Sequence, residues 1–199
     1  MRPLVHVVER DSALVADLGF AFATAGMRCH MHTTSEHLLR HLETEPAHAV
    51  LVEVQLPVGD RVEALEAICS HDPALSVVVL LERAAVELAV RAMRAGAYTV
   101  VERGTPCEEI AQALGDACQR TADLRSRQAQ HAYVRARLDS LSPRERQVME
   151  LVVEGAPTKA IAQRLAISPK TVDVHRMNLM RKLRVDSVAA LVRMVLSAQ

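Results

Sequence analysis

Aromatic side chains are nearly missing from this chain, which has no tryptophan and two each of tyrosine and phenylalanine in 199 residues. Stacking platforms for single-stranded nucleic acid are thereby excluded. Cysteine is sparse: Cys29, Cys69, Cys107 and Cys118 are scattered with no C-x-x-C spacing, which argues for a reducing compartment and against a zinc–thiolate site. Long apolar runs are also lacking; the longest is VVVLL at 77–81, so neither a secretion signal nor a membrane span is expected. The nine histidines do not fall at metal-ligand spacings, so no metal and no cofactor is expected. These absences point to a cytoplasmic protein without a resident prosthetic group.

What is present is an apolar half. Half of the residues are hydrophobic, enough for a proper core in one large domain or two modest ones. The neutral overall charge hides an asymmetry. Residues 1–138 carry fourteen Lys/Arg against eighteen Asp/Glu, a net of −4, whereas residues 139–199 carry ten against six, a net of +4. One half is suited to a polyanion and the other is not.

Up to about residue 118, short apolar runs alternate with helical patterns. LVHVV (4–8) precedes DSALVADLGFAFATAG, which has an Asp or Ser cap and a glycine stop at Gly26. MRCHMH leads to a helix near Ser35. AVLVEV (49–54) leads through a turn at Pro57-Val58-Gly59 to RVEALEAICSH. SVVVLL precedes AVELAVRAMRAG, and YTVVE precedes a helix with Thr105 as N-cap, Pro106 in the first turn and Glu108 as capping-box acid. Five apolar strands separated by helices predict a doubly wound α/β domain with a five-stranded parallel sheet covered on both faces. His6, His30 and His32 lie in or beside its strands and read as structural, with pH sensing as the alternative.

Residues 116–142 hold no Gly or Pro and are rich in Arg, Ala and Gln. They predict a helical linker over 119–139 that extends the fifth helix, with a flexible linker as the alternative. Arg125, Arg127, Arg135 and Arg137 read as a solvated face of that helix, with added phosphate contacts as the alternative. From 140 to 199 everything is helical. SPRERQVMELVVEG opens on a Ser142/Glu145 capping box and stops at Gly155; PTKAIAQRLA, a break at Ile167-Ser168-Pro169, KTVDVHRMNLMRKL and DSVAALVRMVLS follow. A short helix, a tight turn and a longer basic helix form a helix-turn-helix pattern within an all-α, four-helix domain. On the third of these helices Val172, Leu179 and Leu183 share the inward face. Lys170, Val174, Met177 and Arg181 lie opposite, with Thr171, Asp173 and Asn178 on the flanks, where a major groove is read.

The run LSPRERQVMELVVEG…TKAIAQRLAISPKTVDVHRMNLMRKL resembles the LuxR-type DNA-binding domain of NarL/FixJ response regulators, and the strand–helix order before it, with AVRAMRAGAYTVVE, resembles a receiver (flavodoxin-like) domain. The resemblance implies a transcription regulator acting as a homodimer on double-stranded promoter DNA. In the DNA-binding part, Lys170, Thr171, Asn178 and Lys182 are expected at the phosphate backbone, and Asp173, Val174 and Met177 at base edges. Val174 and Met177 are also compatible with thymine methyl contact or with plain exposure. Arg176 and Arg181 serve either role, and Lys159 belongs to the same surface. The last helix, through Val188, Leu191, Val192 and Val195, is the expected dimer seam, with packing inside its own domain as the alternative.

The receiver resemblance implies an acidic pair after the first strand, a phosphate-accepting Asp on the third, a hydroxyl on the fourth and a Lys after the fifth. Two or three carboxylates there hold a divalent cation while the Asp attacks a phosphoryl donor. This sequence places Glu9 and Arg10, Glu53, Leu81 and Arg103 at those positions. Arg10 is expected to repel Mg²⁺, Glu53 is one methylene too long, Leu81 lacks a hydroxyl, and Arg103 changes the donor geometry of Lys. Gly104 and Val100 depart from the family's proline and aromatic switch residue. The expectation is a degenerate receiver, not phosphorylated at the usual aspartate position. In it Glu53 stands in for the phosphoryl charge while Arg10 and Arg103 supply the cations. A solvated, idle Glu53 is the plain alternative, and a partner protein or small ligand acting at the receiver is another. Two other functions stand against the regulator. One is a phosphotransfer enzyme that dephosphorylates itself, for which the acidic pair and Asp are missing. The other is an interaction module that sequesters another regulator and need not bind DNA.

Overall fold

The computed structural model describes residues 2–54, 61–83 and 86–197, so the turn expected at 57–59 lies outside the described residues. The chain divides into two compact units, Met1–Arg125 and Ser126–Gln199.

The first unit runs β1 (Leu4–Val8), α1 (Ser12–Thr24), β2 (Arg28–His32), α2 (Ser35–Leu42), β3 (Ala49–Val54), α3 (Arg61–His71), β4 (Ser76–Leu81), α4 (Val86–Arg94), β5 (Thr99–Glu102) and α5 (Cys107–Asp139). The strands pair in parallel in the order β2-β1-β3-β4-β5. This is the doubly wound sheet expected from apolar strands separated by helices. Val and Leu dominate β1, β3 and β4 because both faces of these strands are covered. One face buries Val8, Val50, Val52, Val77, Val79 and Leu81 with Leu38, Leu65 and Ile68. The other buries Val5, Val7, Leu51, Val78 and Leu80 with Leu18, Phe22, Ile110 and Leu114.

Local signals set the helix ends. The Asp11 carboxylate accepts from the Ala13 and Leu14 amides at the start of α1. Helix α5 starts one residue later than expected: the Pro106 carbonyl accepts from Glu109 N and Ile110 N, so Pro106, and not Thr105, sits at the cap. The helix then continues without a break to Asp139, the rod that the Gly- and Pro-free composition favours. Its middle is not all solvated face. Thr121 Oγ1 accepts from Ser76 N at 2.9 Å, and Arg125 bonds Asp72 at 2.7 Å and the Ala47 carbonyl at 2.8 Å. These ties correct the reading of Arg125 as a purely solvated charge, and they hold α5 to its own sheet.

The second unit holds the part of α5 from Ser126 on, followed by α6 (Pro143–Val153), α7 (Thr158–Leu165), α8 (Pro169–Leu183) and α9 (Val188–Leu196). The Ser142/Glu145 capping box is formed. Gly155 takes φ +83, a left-handed conformation that ends α6 and is strained for any side chain with a Cβ. Val172, Leu179 and Leu183 point inward as the spacing predicts, joining Val148, Val152 and Ile161 in the core. Among the described residues no helix is long and apolar enough to cross a membrane.

Candidate functional site

Three groups of side chains stand out: a carboxylate pocket at the carboxyl end of the sheet, a histidine cluster at its β2 edge, and the outer face of α8.

The carboxylate pocket is centred on Arg103. Its Nη1 donates to Glu53 Oε1 in a short contact and lies 3.6 Å from Glu82 Oε2 and 3.9 Å from Glu9 Oε2. Its Nη2 donates to Asp11 Oδ2 at 2.7 Å. Burial opposes the charge on Arg103, but Glu9 and Glu53, with Asp11 and Glu82, outweigh it and hold the guanidinium above its ordinary range. Glu9 is buried; its Oε1 accepts from the Arg10 and Asp11 amides at 2.7 and 2.9 Å. Hydrogen bonds from the Ala13 and Leu14 amides, and then Arg103, pull the Asp11 carboxyl down.

Arg10 Nε donates to the Thr33 carbonyl at 3.1 Å, toward the β2–α2 turn, while Glu9 turns inward to cap the following amides. Leu81 is fully buried in the core beneath the pocket, contributing packing only. Gly104, at φ +96, adopts a conformation closed to proline, whose ring fixes φ near −65°. Asp11 and Glu82 complete the Arg103 shell. Both were legible as acids next to strand ends, but nothing in their spacing singled them out.

A divalent cation here would need oxygens arranged around an open position. Asp11 and Glu53 both bond Arg103, one oxygen of Glu9 is spent on backbone amides, and a guanidinium holds the centre. The residues present do not fit Mg²⁺. A groove beside the pocket is lined by Glu9, Arg10, Thr33, Thr34, Glu36 and Glu53.

The histidine cluster joins β1, β2 and α2. In the parallel register His6 pairs with His30, and His32 lies two residues on along the same face. His37 and His41, one helical turn apart on α2, cover them. The His6 ring lies 5.0 to 5.3 Å from those of His30, His32 and His41. Burial, then the neighbouring imidazoles, lowers His6 and His32 to about 4. This corrects the sequence expectation about histidine spacing. His30-x-His32 on a strand and His37-x₃-His41 on a helix each set two rings on one face, and the fold brings those faces together.

On α8 the Ser168 hydroxyl accepts from Thr171 N at 3.0 Å and fixes the start of the helix. Lys170, Asp173, Val174, Met177, Arg181 and Lys182 are exposed; Thr171, Arg176 and Asn178 are half-buried; Lys159 is exposed on α7. Met177 is 63% and Val174 45% exposed, unusual for apolar side chains on a basic helix. Arg176 Nη1 lies 3.3 Å from Thr158 Oγ1, and Asn178 Oδ1 accepts from Arg181 at 3.4 Å. Lys182 is committed elsewhere: its Nζ is 2.6 Å from Glu145 Oε2. On α9, Leu191 is fully buried in its own core, so it packs within the unit and is withdrawn from the expected seam. Val192 and Val195 are half-buried and Val188 is exposed.

Comparison with known proteins agrees with both units. The family model for the response regulator receiver domain matches residues 5–115, and that for bacterial regulatory proteins of the luxR family matches residues 139–195. The chain is 32% identical to the transcriptional regulatory protein FixJ of Azorhizobium caulinodans over 98% of its length and 92% of the relative. It is 33% identical to FixJ of Rhizobium meliloti over 97% of its length and 95% of the relative. Among solved structures, the response regulator StyR matches with a TM-score of 0.87 at 28% identity, over 98% of both chains. With a receiver fold followed by a LuxR-type helix-turn-helix, and relatives alike over nearly its whole length, the chain belongs to the NarL/FixJ family of two-component response-regulator transcription factors.

Proposed function

We propose that this regulator acts on promoter DNA without phosphorylation at the usual aspartate position, its receiver held in one state by the Arg103–Glu53 pair. The carrying observation is the guanidinium set among Glu53, Asp11, Glu9 and Glu82. In an ordinary receiver a metal ion and a lysine neutralise an arriving phosphoryl group. Here one fixed guanidinium already bonds Glu53 and Asp11. A nucleophilic Glu53 would have to leave its charge-assisted hydrogen bond before attacking a donor.

DNA is engaged through α8. Lys159, Lys170, Thr171 and Asn178 provide backbone contacts, while Lys182, bound to Glu145, holds the helix in place. Asp173, Val174 and Met177 reach base edges, and Arg176 and Arg181 lie between the two roles. Asp173 repels phosphate and accepts from cytosine, so it tunes sequence choice more than affinity. Two copies on two half-sites meet through Val188, Val192 and Val195.

The test is direct. Full-length protein incubated with labelled acetyl phosphate and Mg²⁺ is expected to take up no label, and its promoter footprint to be unchanged. Glu53→Gln is expected to weaken that footprint. Alkali- and hydroxylamine-labile label on Glu53 with a strengthened footprint overturns the proposal.

A further inference from the structure

We propose that His6, His32 and His41 form a binding site for a divalent transition metal of the zinc class, at the β2 edge of the receiver. One ligand nitrogen from each of the three lies within 4.8 Å of the others. His6 Nδ1 and His32 Nε2 are already 2.9 Å apart. A tetrahedral site with Zn–N bonds of 2.0–2.1 Å places its ligand nitrogens about 3.4 Å apart. His6 and His32 therefore open slightly, and His41 moves in by about an ångström on that estimate, to close the site. Imidazole nitrogens suit zinc, nickel, cobalt and copper, whereas Mg²⁺ and Ca²⁺ call for oxygen cages.

One further observation supports the site. A carboxylate stands behind the triad. Glu45 Oε2 lies 3.9 Å from His41 Nε2 and 3.5 Å from His30 Nε2, and His30, His41 and Glu45 form a second group of the same kind. A carboxylate beside a ligating histidine fixes its ring and raises its basicity.

The thiols are not involved. Cys29 precedes His30 on the strand and packs against the opposite face of the sheet with Met27 and Met31. The site also adjoins the carboxylate pocket, because the His32 carbonyl accepts from Glu9 N at 3.1 Å. Its existence does not depend on how Glu53 works, so either proposal stands if the other fails.

The experiment uses tag-free, chelator-treated full-length protein. It is expected to bind one Co²⁺ per chain with the visible d–d absorption of a tetrahedral site. Zn²⁺ displaces this Co²⁺ and Mg²⁺ does not. His41→Ala and His32→Asn, each checked for folding by circular dichroism, are expected to weaken uptake more than tenfold, while His71→Ala on α3 leaves it unchanged. X-ray absorption of the Zn²⁺-loaded wild type reports the ligands without any variant and is expected to show imidazole scattering. Thiolate scattering, no uptake by folded wild type, or undiminished uptake in both cluster variants overturns the proposal.

Discussion

Lys182 Nζ and Glu145 Oε2, 2.6 Å apart, tie the last turn of α8 to the capping box of α6. Glu145 is buried, and the same oxygen also accepts from Ser142 N at 2.8 Å. One carboxylate thus closes a helix cap and anchors the recognition helix. Burial raises its pKa, but the Lys182 and Ser142 hydrogen bonds outweigh that and hold it below the ordinary Glu value. A lowered folded pKa means that the stabilisation is full above the unfolded value and is lost as pH falls through the folded one. Glu145→Gln is therefore expected to destabilise the second unit by roughly 1–3 kcal/mol at neutral pH. The gap from wild type should shrink as pH drops below the usual carboxylate range. Chemical denaturation followed across pH measures this gap; one that stays constant into strong acid refutes the assignment.

Removing Arg103 inverts the electrostatics of the receiver pocket. Arg103→Ala removes the guanidinium that joins Glu9, Asp11, Glu53 and Glu82. Mg²⁺ is expected to raise the thermal midpoint of this variant and to leave that of the wild type unmoved, since a ligand stabilises only the state it binds. Equal responses of the two proteins would show that the guanidinium does not block the cation position.

The outer face of α8 separates affinity from specificity. Lys170→Ala removes one exposed cation and should weaken binding to specific and random duplexes alike, lowering the salt slope by about 1. Met177→Ala removes no charge. It should leave the slope unchanged and cost about 1–3 kcal/mol only on duplexes whose base edge it contacts. Fluorescence anisotropy over a salt series distinguishes these two patterns.

Leu191 and Val188 share a helix but not a role. Leu191 is 0% exposed, so Leu191→Ala should cost about 2–5 kcal/mol of stability through the cavity left behind. Val188 is exposed, and Val188→Ala should change stability by less than about 0.5 kcal/mol. Any effect of Val188→Ala belongs instead to half-site cooperativity, read from binding to one half-site against two.

How much of this was legible in the sequence follows from what periodicity encodes. The bounds of β3, α3 and β4 match the apolar runs because a strand covered on both faces needs an unbroken run, and turn residues punctuate it. The inward face of α8 was legible for the same reason. The Arg10–Thr33 bond was not legible, because the direction of a side chain beyond a strand end is set by local caps that no periodicity records. The histidine cluster was half visible. His30 and His32 alternate on one strand, but His37 and His41 reach them only through the β2–α2 crossover, a tertiary fact. Leu191 shows the same limit, since an apolar helix face does not say which apolar surface covers it.

The end of the receiver is a matter of which α5 side chains its sheet needs. The sequence pattern places the boundary at about residue 118, yet Thr121 caps Ser76 N at a buried position and Arg125 holds Asp72 and the Ala47 carbonyl. A fragment ending at 118 leaves that buried amide unpaired, at a cost of about 1–3 kcal/mol, and also loses the Arg125 ties. A fragment ending at 126 keeps all of these contacts. Urea unfolding of the two fragments is expected to place the longer one higher in midpoint. In the longer fragment, Thr121→Val should reproduce part of the deficit of the shorter one, because it removes the acceptor of Ser76 N while keeping the shape. Equal midpoints for the two fragments would return the boundary to 118 and make residues 119–125 part of the linker.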